Sequence, residues 1–195
     1  MQTIVIATKN QGKKREYQEM LAPLGLAVKT LGDFPPFSIQ ETGKTFAENA
    51  TIKAQTAAKI LGLPVMADDS GLVVDVLNGA PGVYSARYAG DHDDQANNEK
   101  LLRELAQVPD EQRTAHFYTT IVGMKPTGEK LVATGHVDGH ILHQPTGENG
   151  FGYDPLFYVD ELGCAMAELT AEQKNRISHR GRALRSFMAK FKEWW

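Results

Sequence analysis

The chain has one cysteine, Cys164, in 195 residues. No internal disulfide can form, which excludes a disulfide-stapled scaffold and fits a reducing compartment. No apolar run approaches the roughly eighteen residues that a membrane-spanning helix needs. The N-terminus enters a strand-like segment at once, Thr3-Ile4-Val5-Ile6-Ala7, so no signal peptide is expected. Positive charge is not in excess: Lys and Arg number 21 against 24 Asp and Glu, for a net charge of -3. That argues against a wholesale basic nucleic-acid binder. Internal repeats, low-complexity tracts and linkers are also missing. A cytoplasmic protein without a membrane segment is the expectation. With 42% hydrophobic and 23% charged residues the composition is that of an ordinary globular domain. At this length one domain, with room for two lobes, should bury about 70% of its unfolded surface.

The chain is organised around Val65-Met66-Ala67-Asp68-Asp69-Ser70-Gly71-Leu72. An apolar run meets two carboxylates, a hydroxyl and a glycine, and a second apolar run follows. This reads as a buried strand delivering acids at its C-terminal end, where open α/β sheets bind ligands. Alternation along a strand sends Asp68 and Asp69 to opposite sides. Paired carboxylates beside a hydroxyl suit a hard cation such as Mg²⁺. The competing reading is a turn, since all four residues from Asp68 to Gly71 are good turn formers.

Upstream, the first strand ends in Thr8-Lys9-Asn10-Gln11-Gly12-Lys13-Lys14-Arg15, and a helix should follow to about Leu21. Its apolar face would be Tyr17, Met20, Leu21 and Leu24. A polar loop running into a helix N-terminus is a generic anion site. A single glycine excludes the P-loop pattern. The alternative is a solvated basic helix start. Thr45-Phe46-Ala47-Glu48 is a capping box opening a helix to about Leu61, with Phe46, Ala50, Ala54, Ala57 and Leu61 as the buried stripe. Glu41 lies just before it. From there it could reach a metal held by Asp69. Asn49 and Lys53, on one helical face at i, i+4, could point to the same cleft, although a surface position is the expectation for each.

Further on, Arg87 reads as a buried arginine among small and aromatic residues. A helix is expected from about Gln95 to Ala106, with Leu101, Leu102 and Leu105 in the core. Segments 114–124 and 130–142 read as strands joined at Pro126-Thr127-Gly128. His136, His140 and His143 read as exposed strand histidines rather than a zinc site. The segment Gly150-Phe151-Gly152-Tyr153-Asp154-Pro155 suits a planar ring stacked on an aromatic face, or else a tight turn with core aromatics. Thr170 to Gln173 is a second capping box. The helix it starts should be interrupted around Ser178 to Gly181 and then bury Leu184, Phe187, Met188, Phe191 and Trp195. Lys174, Arg176, Arg180, Arg182 and Arg185 place five cations near His179. Such a cluster suits phosphate, or is a solvated basic face.

Cations, carboxylates and an aromatic loop are the chemistry of a nucleoside triphosphate with Mg²⁺. The segments Thr8–Lys13, Ala67–Leu72, Gly79–Tyr88, Gly150–Pro155 and Ser178-His179-Arg180-Gly181 resemble the inosine triphosphate pyrophosphatase family, above all its bacterial members acting on dITP and XTP. The match runs the length of the chain in order. The resemblance implies an α/β fold in which an elongated mixed β-sheet is flanked by helices, one domain over residues 1–195 in two lobes with the active-site cleft between them. It implies a homodimer, and hydrolysis of ITP, dITP and XTP to monophosphate and pyrophosphate with Mg²⁺. Asp69 would be the general base and, with Glu41, a metal ligand. Thr8, Lys9, Asn10, Gln11, Gly12 and Lys13 would bind the triphosphate, and Ser70 would touch the substrate. Phe151, Gly152, Tyr153 and Asp154 would hold base and sugar. Lys174, His179 and Arg180 would contact the nucleotide. Two departures stand out. Lys9 replaces a common Gly, and Gln40-Glu41 replaces two adjacent acids, so Asp68 is an alternative to Glu41 in the metal site. A pyrimidine-directed pyrophosphatase, a phosphatase using an aspartyl nucleophile and an RNA-binding module are the competing functions.

Overall fold

A computed structural model describes residues 2–91 and 93–195. Among the described residues seven strands form one mixed sheet: β1 (Gln2–Ile6), β2 (Leu26–Thr30), β3 (Val65–Val74), β4 (Thr114–Met124), β5 (Lys130–Ile141), β6 (Phe157–Val159) and β7 (Cys164–Ala165). Their order is β2-β1-β3-β4-β5-β6-β7. Pairing is parallel for β1 with β2 and β3, and antiparallel for β5 with β6 and β6 with β7. Five α-helices accompany them among the described residues: α1 (Gln11–Leu21), α2 (Phe46–Leu61), α3 (Asp94–Glu104), α4 (Ala171–Ile177) and α5 (His179–Trp194). The fold is therefore the α/β class with a mixed sheet flanked by helices.

The chain divides into two compact units. The first comprises Met1–Asp69, Thr119–Gly135 and Gly181–Trp195, and the second Ser70–Tyr118 and His136–Arg180. In the first unit, Ile4, Val5 and Ile6 of β1 are buried, as expected of a parallel strand covered on both faces, while Thr3 is exposed. One cluster joins Ile4, Ile6 and Met66 to Tyr17, Leu21, Leu184, Phe187, Phe191 and Trp194. Another packs Val5, Ala67 and Val122 on Ala50, Ala54, Ala57 and Ala58, where alanine lets α2 approach closely. In the second unit Leu72, Val74, Phe117, Val137, Ile141, Leu156 and Phe157 pack with Leu101 and Leu105 of α3.

Helix boundaries follow local chemistry. Asn10 caps α1, its side chain accepting from Lys13 N. Thr45 caps α2 by accepting from Glu48 N at 3.1 Å. The Glu48 carboxylate accepts in turn from Lys44 N at 2.6 Å, one residue before the position that a reciprocal box uses. Gly62 closes α2 in the left-handed conformation, φ 64°. Thr170 and Gln173 form the full reciprocal box at α4, and extended backbone at Ser178 separates α4 from α5.

Several expectations need correction. Asp68 to Gly71 is neither a turn nor a strand end. Strand β3 continues through it for ten residues, because Leu72 and Val74 bury beyond it as Val65 and Met66 do before it. Leu24 is 55% exposed, since α1 ends at Leu21 and a 3₁₀ turn carries the chain away from the helical face. Arg87 is exposed and lies 5.2 Å from the Tyr84 ring centroid, whereas the buried arginines are Arg113 and Arg180. Helix α3 starts at Asp94 and ends at Glu104 because Asp93 takes the capping role, accepting from Ala96 N.

Candidate active site

In the first unit, β1 leads into the loop before α1. Thr8 is buried there, and its Oγ1 accepts from Asn10 N at 3.1 Å. Asn10 then holds Lys13 N, so the loop is fixed by its own side chains while the remaining N-terminal amides of α1 face outward from the helix end. Lys9 and Gln11 are exposed, and Gly12 is half-buried. Lys13 is tied down, its Nζ 2.8 Å from Asp68 Oδ2, and the Asp68 side chain is 1% exposed. The second carboxylate, Asp69, has different partners. Asn49 Nδ2 donates to its Oδ2 at 3.2 Å and Lys53 Nζ to its Oδ1 at 3.3 Å. Thr119 Oγ1 on β4 donates to the Asp69 carbonyl at 3.1 Å. The two acids of one strand thus serve separate cations, as alternation requires.

Asn49 and Lys53 overturn the expectation of surface positions: they are 1% and 8% exposed. They sit one position before Ala50 and Ala54, so the alanine stripe of α2 brings them inward with it. Their i, i+4 spacing on one face, beside those alanines, was the sequence signal for a shared inward position. Lys53 also bonds Glu41, Nζ to Oε2 at 2.9 Å. Burial pulls the Lys53 ammonium towards neutrality, but the carboxylates of Asp69, Glu41 and Asp68 outweigh it and hold its pKa above the ordinary value. Asp69 bears the other side of this balance. Burial raises its pKa above the ordinary value against the lowering pull of Lys53 and Lys13, and Glu41 raises it further. Several carboxylates share one buried ammonium, so charge on Asp69 is under-compensated.

The segment bearing Glu41 is anchored by Asn49, whose Oδ1 accepts from Gly43 N at 2.8 Å. The approach is close: a Cβ on Gly43 would lie 2.7 Å from both Asn49 Oδ1 and Glu48 Cβ. One amide thus joins the Glu41 segment to Asp69. Oxygen donors of Glu41 and Asp69 meeting on one cationic group are the chemistry that Mg²⁺ accepts, since it is usually held by one or two carboxylates, with waters and phosphates completing the shell. Among the described residues no group of three or more His, Cys, Asp or Glu could hold a metal by itself. A cation here would need oxygens from substrate or water as well. The strand histidines face separate aspartates, His136 to Asp138, His140 to Asp160 and His143 to Asp110.

In the second unit, a basic and aromatic cluster forms around Phe151. Lys174 Nζ lies 4.6 Å, and Arg180 Cζ 5.8 Å, from the Phe151 ring centroid. Asp154 is buried and its Oδ2 accepts from Lys174 Nζ at 2.6 Å and from Phe151 N at 2.8 Å. Gly150 has φ +80°, and a Cβ there would come within 2.0 Å of that carboxylate, so only glycine fits. Arg180 Nη2 donates to Ser70 Oγ at 3.1 Å. The His179 ring stacks on Phe117, centroids 4.9 Å apart. Tyr153 turns inward, its hydroxyl donating to Ser85 O at 2.8 Å, and burial raises its pKa. Of the expected substrate residues here, the structure gathers Ser70, Phe151, Asp154, Lys174 and Arg180 through these contacts, while Tyr153 points to the core. Asp94 and Asn98, which bond Gly152, carried no signal in the sequence reading.

The first unit thus carries a buried, lysine-paired aspartate on a central strand, and the second a basic–aromatic cluster of residue types that can bind a phosphorylated, ring-bearing ligand. The family model described as the Ham1 family matches residues 4–190, and the chain belongs to that family. It is 58% identical to a dITP/XTP pyrophosphatase of Lactiplantibacillus plantarum, over all of this chain and 96% of that one. A dITP/XTP pyrophosphatase of Bacillus cereus is 52% identical, over all of this chain and 97% of that one. The solved Ham1 protein of Staphylococcus aureus superposes with a TM-score of 0.87 at 45% identity, covering 98% of this chain and 99% of that one.

Proposed function

We propose that this chain is a nucleoside-triphosphate pyrophosphatase that hydrolyses dITP, ITP and XTP to the monophosphate and pyrophosphate, removing deaminated purines from the nucleotide pool. The observation that carries the reading is Asp69. It is a buried carboxylate with a raised pKa, held by Asn49 and Lys53 beside Glu41, in a chain similar end to end to dITP/XTP pyrophosphatases. Burial raises the Asp69 pKa in the metal-free protein. A bound Mg²⁺ would lower it while making a bound water more acidic, and Asp69 is the base for that water. It takes a proton from the water that attacks the α-phosphorus. The bond from that phosphorus to the bridging oxygen breaks, and pyrophosphate leaves with the electron pair. Glu41 and Asp69 would hold Mg²⁺, which when bound neutralises charge on phosphate oxygens. Thr8 to Lys13 bind the triphosphate through backbone amides and lysine charge. Lys13 is kept in place by Asp68.

Phe151 offers a face to the base, and His179 and Arg180 offer donors. Hypoxanthine and xanthine carry an acceptor oxygen at position 6, whereas adenine carries an amino group that such donors leave unmatched. A site of that kind discriminates strongly. The family resemblance further supports a homodimer, and the lone cysteine fits a cytoplasmic setting, which sedimentation of the purified protein and fractionation of cells test. No helix among the described residues is long and apolar enough to cross a membrane.

The reaction is tested by incubating the protein with Mg²⁺ and, separately, dITP, XTP, ITP, ATP and GTP, and identifying both products. Monophosphate and pyrophosphate from the first three, with little from the last two, is expected. Release of orthophosphate, or no turnover, would overturn the reading.

A further inference from the structure

Helix α3 does work in the second unit that the proposed reaction leaves unexplained. Asp94 and Asn98 are four residues apart and so share one helical face. Gly152 N donates to Asp94 Oδ2 at 2.7 Å, and Asn98 Nδ2 donates to Gly152 O at 2.9 Å. Both backbone polar groups of the residue after Phe151 are therefore held by side chains from a distant helix. The orientation of the Asn98 amide is forced, since turning it would set its oxygen against the Gly152 carbonyl. Its Oδ1 is buried and has no hydrogen-bond partner among the described residues, a cost accepted for the sake of the one donor bond.

The helix that does this is itself anchored. Asn97, a third of a turn round, accepts from Ala89 N at 2.6 Å and Gly90 N at 3.2 Å. Lys100 Nζ donates to Tyr88 O at 2.9 Å and lies 4.0 Å from the Tyr88 ring centroid. The loop is then held residue by residue. Asp154 takes Phe151 N, α3 takes Gly152, and Ser85 O takes the Tyr153 hydroxyl.

We propose that Asp94 and Asn98 are positioning residues for purine recognition: they clamp the Gly152 peptide and so fix the Phe151 ring against Lys174 and Arg180, ready to receive a base. This inference rests on the reading of Phe151 as the base platform. None of these residues belongs to the Asp69 cluster, so loss of the clamp weakens recognition of the base and leaves phosphate chemistry alone. The preorganisation it supplies is entropic: a loop left to sample other conformations must be ordered on each binding event.

The test uses Asn98→Leu, which removes the donor with little change in size, and Asp94→Ala, with Asp94→Asn as the variant that keeps an acceptor. Phe151→Ala serves as the reference, and inorganic tripolyphosphate as an inhibitor that has no base. For Asn98→Leu and Asp94→Ala, KM for dITP and XTP should rise about tenfold with kcat within about twofold. Inhibition by tripolyphosphate should be unchanged, and Asp94→Asn should restore KM. Unchanged KM in both variants, or an equal weakening of tripolyphosphate, would overturn the clamp. If Phe151→Ala itself leaves KM unchanged, the base-platform reading falls and the clamp with it. If Phe151→Ala raises KM while the α3 variants do not, the clamp alone falls.

Discussion

The base role proposed for Asp69 needs an ionised carboxylate, and Asp69 is placed where ionisation is costly. Burial works against its charge, and Lys53, shared with Glu41, returns only part of the loss. A carboxylate whose folded pKa exceeds the ordinary value of 3.8 keeps its proton longer when folded than when unfolded. Stability therefore falls as pH rises from the ordinary value through the folded one, and the cost stays above it. Asp69→Asn should remove that cost. The metal-free variant should melt at or above the parent temperature at pH 7, with the difference closing as pH drops below the ordinary carboxylate range. Turnover should fall by about 10²–10⁴-fold, the usual share of a general base. Thermal melts across pH, read beside pyrophosphate release, check both halves, and near-parent turnover would remove Asp69 from its role.

At the scale of elements, α2 and the segment before it act together. Gly43 lies against the first turn of α2, and Asn49 bonds both Gly43 N and Asp69. Gly43→Ala should push the Glu41 segment off this turn. We expect a loss of about 1–3 kcal/mol from overpacking, together with a lower kcat because the Asn49 bridge is strained. Urea unfolding and steady-state rates check this, and a variant with parent stability and rate would show that the segment is free to shift. Elements were the most legible level of the sequence. Capping residues marked α2 and α4, α1 followed the loop after the first strand and ended at Leu21 as expected, and strands β4 and β5 lay where the strand pattern put them. Leu24 and Arg87 were misread because each depends on where the chain turns after its element, which local pattern does not encode.

At the scale of the molecule, the second unit contains a buried arginine with a structural role. Arg113 donates to the carbonyls of Ile141, Leu105 and Leu142 at 2.7, 2.7 and 2.9 Å, linking the start of β4, the end of β5 and the end of α3. Arg113→Met would leave three carbonyls without those donors. A fall of about 2–4 kcal/mol is expected from unsatisfied buried acceptors, read as a lower urea midpoint, with KM unchanged in the protein that remains folded. A midpoint equal to the parent's would mean that water takes over those acceptors.

The sequence by itself determined the class of fold, the run of helices and strands, the family and the residue types of the candidate site, because capping, periodicity and motif spacing are local properties. Only the tertiary structure decided which side chains meet. It ran β3 straight through Asp68 to Gly71, since Leu72 and Val74 have core to bury in. It drew Asn49 and Lys53 inward beside alanines, where the low side-chain volume of α2 leaves room for polar groups to reach Asp69. It also brought Asp94 and Asn98 to Gly152 across more than fifty residues, a pairing that no local pattern contains because its partners are chosen by packing.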